Sequence, residues 1–469
     1  MKYDVIIVGG GPAGIFTALT LVNSKEKNLP KILIIEKGEL TNKRICPART
    51  NNKGCILCPR CALVSGWGGA GAFSDGKLTF STEIGGWLKD YIGENKLLEL
   101  LDIVDSIYTK FGANQPLIKP DPVIFEKFQR RAVSADLRLV YYAIRHLGTE
   151  NCGPILLNMY EYIKDKVDIL LNSQVTRLLV NDGKVYGVEL EDGKIYYGDY
   201  VVVAPGREGA KWFGEEGKRI GLSWSINPVD IGVRVEIPAL VMKELTDYLY
   251  EAKFIYYTKT FDDKVRTFCM NPYGEVVMEQ NEGIISVNGH SFAEKKTENT
   301  NFAILVSKNF TEPFKDPISY GRAIGSLANL LSNGVILQRL GDLLAGRRST
   351  WDRIQKGMVV PTLKEAVPGD LSLVLPYRYL VNIIEMLQAL DKVTPGVYSR
   401  HTLLYGVEVK FYSARVKLNS NLETEIKNLF AIGDGAGITR GLSQASASGI
   451  IVGQEILKRL SLPIPQFSF

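Results

Sequence analysis

The chain is 469 residues long, 45% hydrophobic and 23% charged, a make-up that excludes a linear or disordered polypeptide and leaves room for two or three folded domains. Its formal net charge of +5 balances 56 basic against 51 acidic residues, so no polyanion-binding face is implied unless the charges cluster, and nucleic acid is disfavoured as a partner. The apolar run at residues 5–8 breaks at glycines, which predicts neither a signal peptide nor a membrane anchor. Four of the six cysteines crowd together instead of spreading as a disulfide framework, so a reducing cytoplasm is expected.

Residues 3–8 form a short β-branched run, and Gly9-Gly10-Gly11-Pro12-Ala13-Gly14 follows at once. Ile15, Ala18, Leu19 and Val22 then fall at helical spacing. Strand, glycine turn and helix in that order predict a nucleotide site. Gly9 permits the tight turn, Gly11 lets the backbone approach a pyrophosphate, Gly14 lets helix pack on strand, and the helix start offers amide donors. A second strand over residues 31–35 ends in Glu36, where a carboxylate would accept both hydroxyls of a ribose and disfavour a 2′-phosphate.

Next comes a cysteine-rich insert with the spacing C-x8-C-x2-C-x2-C at Cys46, Cys55, Cys58 and Cys61. Three closely spaced thiols suit one face of a [4Fe-4S] cubane, with Cys46 closing from a distance; structural zinc usually takes two separate pairs. Iron–sulfur, zinc and free redox-active thiols all stay open, because spacing alone does not fix a metal. Lys43, Arg44, Arg49, Lys53 and Arg60 flank the thiols and would favour thiolates. A glycine-rich segment, Gly66 to Gly71, and then Lys77 come after it.

His146 sits in a stretch read as an apolar helix and as packing. Residues 167–204 read as a three-stranded meander with turns at Asn181-Asp182-Gly183 and Glu191-Asp192-Gly193, ending at Ala204-Pro205-Gly206. From Asp230 the chain changes to short strands at 231–237, 254–257, 265–270, 275–278, 284–287 and 303–306, with helical segments near 320–344 and 377–390. Of three histidines, His290 at a strand end is the candidate proton carrier, weighed against a structural role, and His401 is read as the start of a strand. Cys152 and Cys269 are read as small buried apolar residues. Near the C-terminus, Asn428 to Gly437 ends in Gly433-Asp434-Gly435-Ala436-Gly437, and a helix is predicted from Leu442. Arg440, just before it, would clamp an anionic substrate or the bound cofactor, or else is a helix-entry charge. Arg234, Arg266 and Arg415 have weaker claims.

The meander, its closing turn and the Gly433–Gly437 segment resemble the glutathione-reductase-like class of FAD proteins, which decides for FAD over NAD. In that class an Ala-Thr-Gly turn succeeds the meander; here Pro205 holds the middle position. The resemblance implies cofactor contacts at Gly9, Gly11, Pro12, Ala13, Gly14 and Glu36, and at Gly69, Ala70, Gly71 and Lys77. It further implies them at Val175, Ala204 and Gly206, and at Gly433, Asp434, Gly441 and Leu442, with Asp434 accepting a ribityl hydroxyl. Taken with residues 229–236, 266–270 and 433–441, almost the whole chain resembles a family of uncharacterised FAD-dependent dehydrogenases.

The fold expected is α/β. A Rossmann-type FAD-binding domain, parallel sheet plus β-meander, would occupy 1–229, with the cysteine-rich insert at 44–62. An inserted α+β substrate or cap domain on an antiparallel sheet would occupy 230–400, and 401–469 would return to the FAD-binding domain. The expected function is flavin-dependent hydride or electron transfer to or from a small-molecule substrate, with His290 and Arg440 as catalytic candidates and an iron–sulfur cluster as a conceivable relay. No second GxGxxG unit succeeds the meander, so electrons would come from substrate, from a carrier protein, or from NAD(P)H bound without a Rossmann unit. The alternatives are a flavoprotein linked to tRNA modification and an electron-transfer or redox-sensing subunit.

Overall fold

In a computed structural model, residues 2–26, 28–47, 58–281, 283–291, 296–310, 313–314, 316–411 and 413–467 are described. The chain divides into two compact units, the first built from Met1–Leu117, Ala143–Asn227 and Ser413–Phe469, the second from Ile118–Tyr142 and Pro228–Tyr412.

The first unit is organised by a seven-stranded sheet. Strands Asp168–Leu170, Ile32–Ile35, Lys2–Val8, Ile195–Val203 and Leu429–Ala431 run parallel in that spatial order. The first half of Ile195–Val203 also pairs antiparallel with Lys184–Leu190, which pairs with Val175–Asn181 to complete the meander. Parallel strands covered on both faces need apolar residues on both sides, and Val5, Ile6, Ile7, Leu33, Ile34, Val201, Val202 and Val203 are all fully buried. The register aligns Ile35, Val8, Val203 and Ala431 in one row. The turns leaving these residues therefore open at the same edge.

Helix Pro12–Val22 starts with Pro at its first turn and is buried on nearly all sides. The C-terminal helix Leu442–Arg459 lies directly on it. That approach requires glycine: a Cβ at Gly449 would lie 2.2 Å from the Ala13 carbonyl oxygen, and one at Gly453 would lie 2.6 Å from Thr20 Cβ. His146 ends a strand, Ala143–His146, that pairs with Lys77–Phe80. The helical reading of that stretch fails because the pairing is set by a partner distant in sequence.

The second unit has an eight-stranded, mostly antiparallel sheet. Its central strand Val229–Pro238 is buried on both faces but alternates in chemistry. Ile231, Val233, Val235 and Ile237 enter an apolar core with Met386 and Leu387 of helix Tyr377–Val393, while Asp230, Arg234 and Glu236 form a buried polar layer. Arg234 Nε and Nη2 donate to the two Glu408 carboxylate oxygens at 2.8 and 2.7 Å. The other donor positions reach the Cys269 carbonyl, Asn301 and Asn288. Cys269 is thus half-buried beside a charge network and holds φ at +45°; it is not the plain apolar residue expected. Residues 118–142 join this unit because Leu137–Leu139 pairs with Phe254–Tyr256 and Phe125 and Phe128 enter its core. Strand Leu403–Lys410 pairs with the central strand, so the chain re-enters the first unit at Ser413, not near His401.

Removing Arg234 leaves the buried Glu408 with Lys410, 3.3 Å away, as its remaining ion-pair partner, whereas replacing both members of such a pair costs far less than removing one. Arg234→Met is expected to destabilise the protein by about 3–5 kcal/mol, with Arg234→Met/Glu408→Leu recovering most of the loss; the midpoints of chemical denaturation measure both.

Candidate functional site

The row of strand ends in the first unit delivers three turns to one place. Gly9 sits so close to the end of the strand closing the meander that a Cβ on it would lie 2.2 Å from the Ala204 carbonyl oxygen. Its φ of +114° also suits only glycine. A Cβ at Gly433 would lie 3.1 Å from that of Ala13, and one at Gly435 would lie 2.3 Å from the Gly206 carbonyl oxygen. The turns at 9–14, 204–206 and 433–437 therefore form one continuous cradle.

Glu36 lies beneath it. The residue is 6% exposed, and its carboxylate accepts three backbone N–H groups: Gly10 at 2.7 Å, Gly38 at 2.9 Å and Gly66 at 2.8 Å. An ionised carboxylate has about four acceptor sites, so capacity remains for a ligand hydroxyl. Val175 starts a meander strand and is buried in the unit's core, two residues after Ser173, whose N–H donates to the Glu36 carbonyl.

The glycine-rich segment crosses the turn. Gly68 N–H donates to the Gly10 carbonyl at 2.7 Å, a Cβ at Gly69 would lie 3.4 Å from Gly11 Cα, and one at Gly71 would lie 2.7 Å from Leu442 Cδ2. Ala70 lies between them in the short 3-10 helix Gly69–Phe73. Arg44 holds this segment in place. The residue is 6% exposed, and its guanidinium donates to the carbonyls of Ala62, Trp67 and Gly69. Burial pulls its pKa down to about 10, against the opposing influence of Glu36 and Cys61. Sequence spacing assigned Arg44 to the thiols and gave no sign of this task. Lys77 is mostly buried and ion-paired with Asp75 at 3.1 Å.

The opposite wall comes from the C-terminus. Thr439 Oγ1 donates to Asp434 Oδ1 at 2.6 Å, and Arg207 Nε stands 4.0 Å from Oδ2; neither partner was foreseen. The C-terminal helix begins after Gly441 without a side-chain cap. Ser443 in its first turn is 2% exposed, and its hydroxyl has no hydrogen-bond partner among the described residues. A Cβ at Gly441 would meet nothing within 4 Å, and one at Gly11 nothing closer than 4.0 Å. Open space thus faces both helix starts. Uncapped helix starts, an orphaned buried hydroxyl and a carboxylate with spare capacity are what a dinucleotide with a polyol arm demands, so the residues fit FAD.

The expected cysteine centre is less complete. Cys46, Cys58 and Cys61 are half-buried, while Cys55 lies outside the described residues. Among the described residues no group of three His, Cys, Asp or Glu side chains is placed to hold a metal ion. Cys152 is buried at 3% exposure as expected, and desolvation pushes its thiol up to about 12, so it stays protonated and unreactive. Arg440 belongs to the first unit and lies over the Trp87 ring, 3.8 Å from its centroid. His290 belongs to the second unit, at the half-buried end of strand Ile284–His290, paired in register with Glu275. No helix among the described residues is long and apolar enough to cross a membrane.

These features define a dinucleotide-binding α/β unit joined to a sheet-based second unit. Residues 228–411 match the family model described as FAD-dependent protein, C-terminal domain-like, and residues 362–461 match that of glucose inhibited division protein A. A protein of Clostridium beijerinckii is 29% identical over 487 residues, spanning 99% of this chain and 82% of its own length. Among solved structures, glycine oxidase from Geobacillus kaustophilus aligns over 97% of this chain and 95% of its own at 12% identity and a TM-score of 0.40. GidA of Aquifex aeolicus aligns over 99% and 64% at 14% identity and a TM-score of 0.37. With an FAD-dependent family model on the second unit and the three-turn cradle in the first, the chain is an FAD-dependent oxidoreductase.

Replacing Asp434 by Ala removes the acceptor that Thr439 orients, and FAD affinity is expected to fall roughly 10-fold or more; equilibrium dialysis of the flavin reads the change.

Proposed function

We propose that the first unit holds FAD along its cradle and that the chain transfers a hydride or electrons between this flavin and a small-molecule substrate. The single observation that carries the reading is the convergence of the turns at 9–14, 204–206 and 433–437 on one row of strand ends.

In this reading the amides of Gly11, Ala13 and Gly14, with the positive end of helix Pro12–Val22, hold the pyrophosphate. Gly9 and Pro12 shape the turn, and Glu36 accepts from the adenosine ribose. Gly69 to Gly71 and Lys77 line the same run, and Val175, Ala204 and Gly206 back it. Gly433 and Asp434 take the ribityl arm, and Gly441 and Leu442 present the C-terminal helix start to the flavin's pyrimidine edge. Bound FAD supplies a two-electron acceptor; the chain's residues orient, shield and set the local field. Arg440 and His290 are the candidates for holding substrate and moving a proton. Purified protein should be yellow and release FAD rather than FMN, and anaerobic mixing with NADH, NADPH and reduced carrier proteins should identify a donor that bleaches it. A colourless chain that takes up no FAD overturns the reading.

Cys46, Cys55, Cys58 and Cys61 are proposed as an electron relay on the strength of their spacing. Anaerobically prepared protein should contain iron and sulfide, and zinc alone would refute the relay. A flavoprotein acting on tRNA draws less support, because the glucose inhibited division protein A match covers the C-terminal glycine motif, which bears on the flavin.

A further inference from the structure

Arg440, the candidate substrate holder, belongs to an aromatic cluster of the first unit whose other members the function proposed above leaves unused. Trp87 carries two guanidinium groups on its ring: Arg440 lies 3.8 Å and Arg415 4.2 Å from the ring centroid. Both arginines come from segments fixed by backbone bonds. Trp87 N–H donates to the Ile438 carbonyl at 2.9 Å and Arg440 N–H to the Gly85 carbonyl at 2.7 Å, and Gly86 bridges Thr439. Gln444, 1% exposed, donates to the carbonyls of Ser81 and Ile84 and so ties the Trp87 loop to the C-terminal helix. Arg415 sits on a short strand, Arg415–Val416, paired with Trp224–Ser225.

Two like charges stacked on one ring repel each other, and the start of an 18-residue helix adds partial positive charge directly after Arg440. A guanidinium stacked by its face keeps its edge for in-plane donors, and that planar fork matches a carboxylate. Among the described residues Arg415 Nε is buried without a hydrogen-bond partner, as is the Ser443 hydroxyl in the first helical turn, while the Arg415 side chain also hydrogen-bonds Tyr91. Against this positive charge, Asp90 stands 3.7 Å from Arg415 Nη1 and is half exposed, a partner that an incoming carboxylate would outbid at little cost.

We propose that Arg415 and Arg440, positioned on Trp87 at the start of the C-terminal helix, are the carboxylate-recognition element of the substrate site, so the compound oxidised or reduced is an organic acid. The inference rests on the flavoprotein reading above and names its substrate class.

The test uses the full chain loaded with FAD. Benzoate, acetate, neutral benzamide and inorganic phosphate are titrated at constant ionic strength, followed by the visible flavin spectrum and by calorimetry. The carboxylates should perturb the spectrum saturably and benzamide should not. Arg440→Gln and Arg415→Gln should weaken benzoate binding roughly 10- to 100-fold with the FAD-to-protein ratio unchanged. Asp90→Asn, at a half-exposed position that folding tolerates, should tighten it severalfold. A fully flavinylated protein unmoved by any carboxylate, arginine variants that bind as the wild type does, or phosphate or benzamide binding as well as benzoate would each overturn the proposal. So would an Asp90→Asn affinity that is unchanged or lower. If the chain takes up no FAD, the flavoprotein reading falls instead; calorimetry on the flavin-free protein then decides the anion element by whether benzoate binding survives and is lost in Arg415→Gln.

Discussion

Parallel pairing in register is the constraint on which the rest of the first unit depends. Ile35, Val8, Val203 and Ala431 stand side by side across the sheet, and in a parallel sheet neighbouring strands end at the same edge. The segments leaving those four residues must therefore share a rim. They are Glu36, the glycine turn, the Ala204-Pro205-Gly206 turn and the Gly433–Gly437 segment. A one-residue slip in any pairing would move its turn along the strand and reverse the faces of every side chain in it. The apolar residues on both faces of these strands, and the close contact of Gly449 with Ala13, hold the register in place.

The second unit solves a different problem. A strand at the middle of an eight-stranded sheet cannot leave a polar face in water, yet Val229–Pro238 carries Asp230, Arg234 and Glu236 inside. Each finds partners: Asp230 meets Arg266 and Ser307, Arg234 meets Glu408, and Glu236 accepts from Thr362 and Asn299. Burial raises the Glu236 pKa while those donors pull it back. Such a layer adds little net stability over an apolar one but tolerates few alternative packings.

The nucleotide cradle was legible because its requirements fall on local signals. Glycine where a Cβ cannot fit, an acid at a strand end and a helix beginning with proline can all be read without knowing the partner. Arg44 was not legible, since its donors go to backbone carbonyls, which leave no mark in a sequence. Residues 118–142 hid their allegiance for a related reason: Leu137–Leu139 pairs with Phe254–Tyr256, and nothing local announces a partner so remote. The apolar neighbours of His146 suggest a helix, but strand pairing with Lys77 overrides them. The return to the first unit was placed too early because Leu403–Lys410 is as apolar as a strand of either sheet, and only its pairing assigns it.

The closing of the sheet by Leu429–Ala431 and its cover by Leu442–Arg459 bear on how the protein is made. A ribosome delivers the glycine turn before the second unit, but the strand and helix that finish the rim only after it. Until then Ile195–Val203 offers an unpaired edge, and Ala13 and Thr17 face solvent where Gly449 will lie. Nascent chains must wait, open on that side, through synthesis of the entire second unit, so the nucleotide pocket is assembled only after that unit has been made.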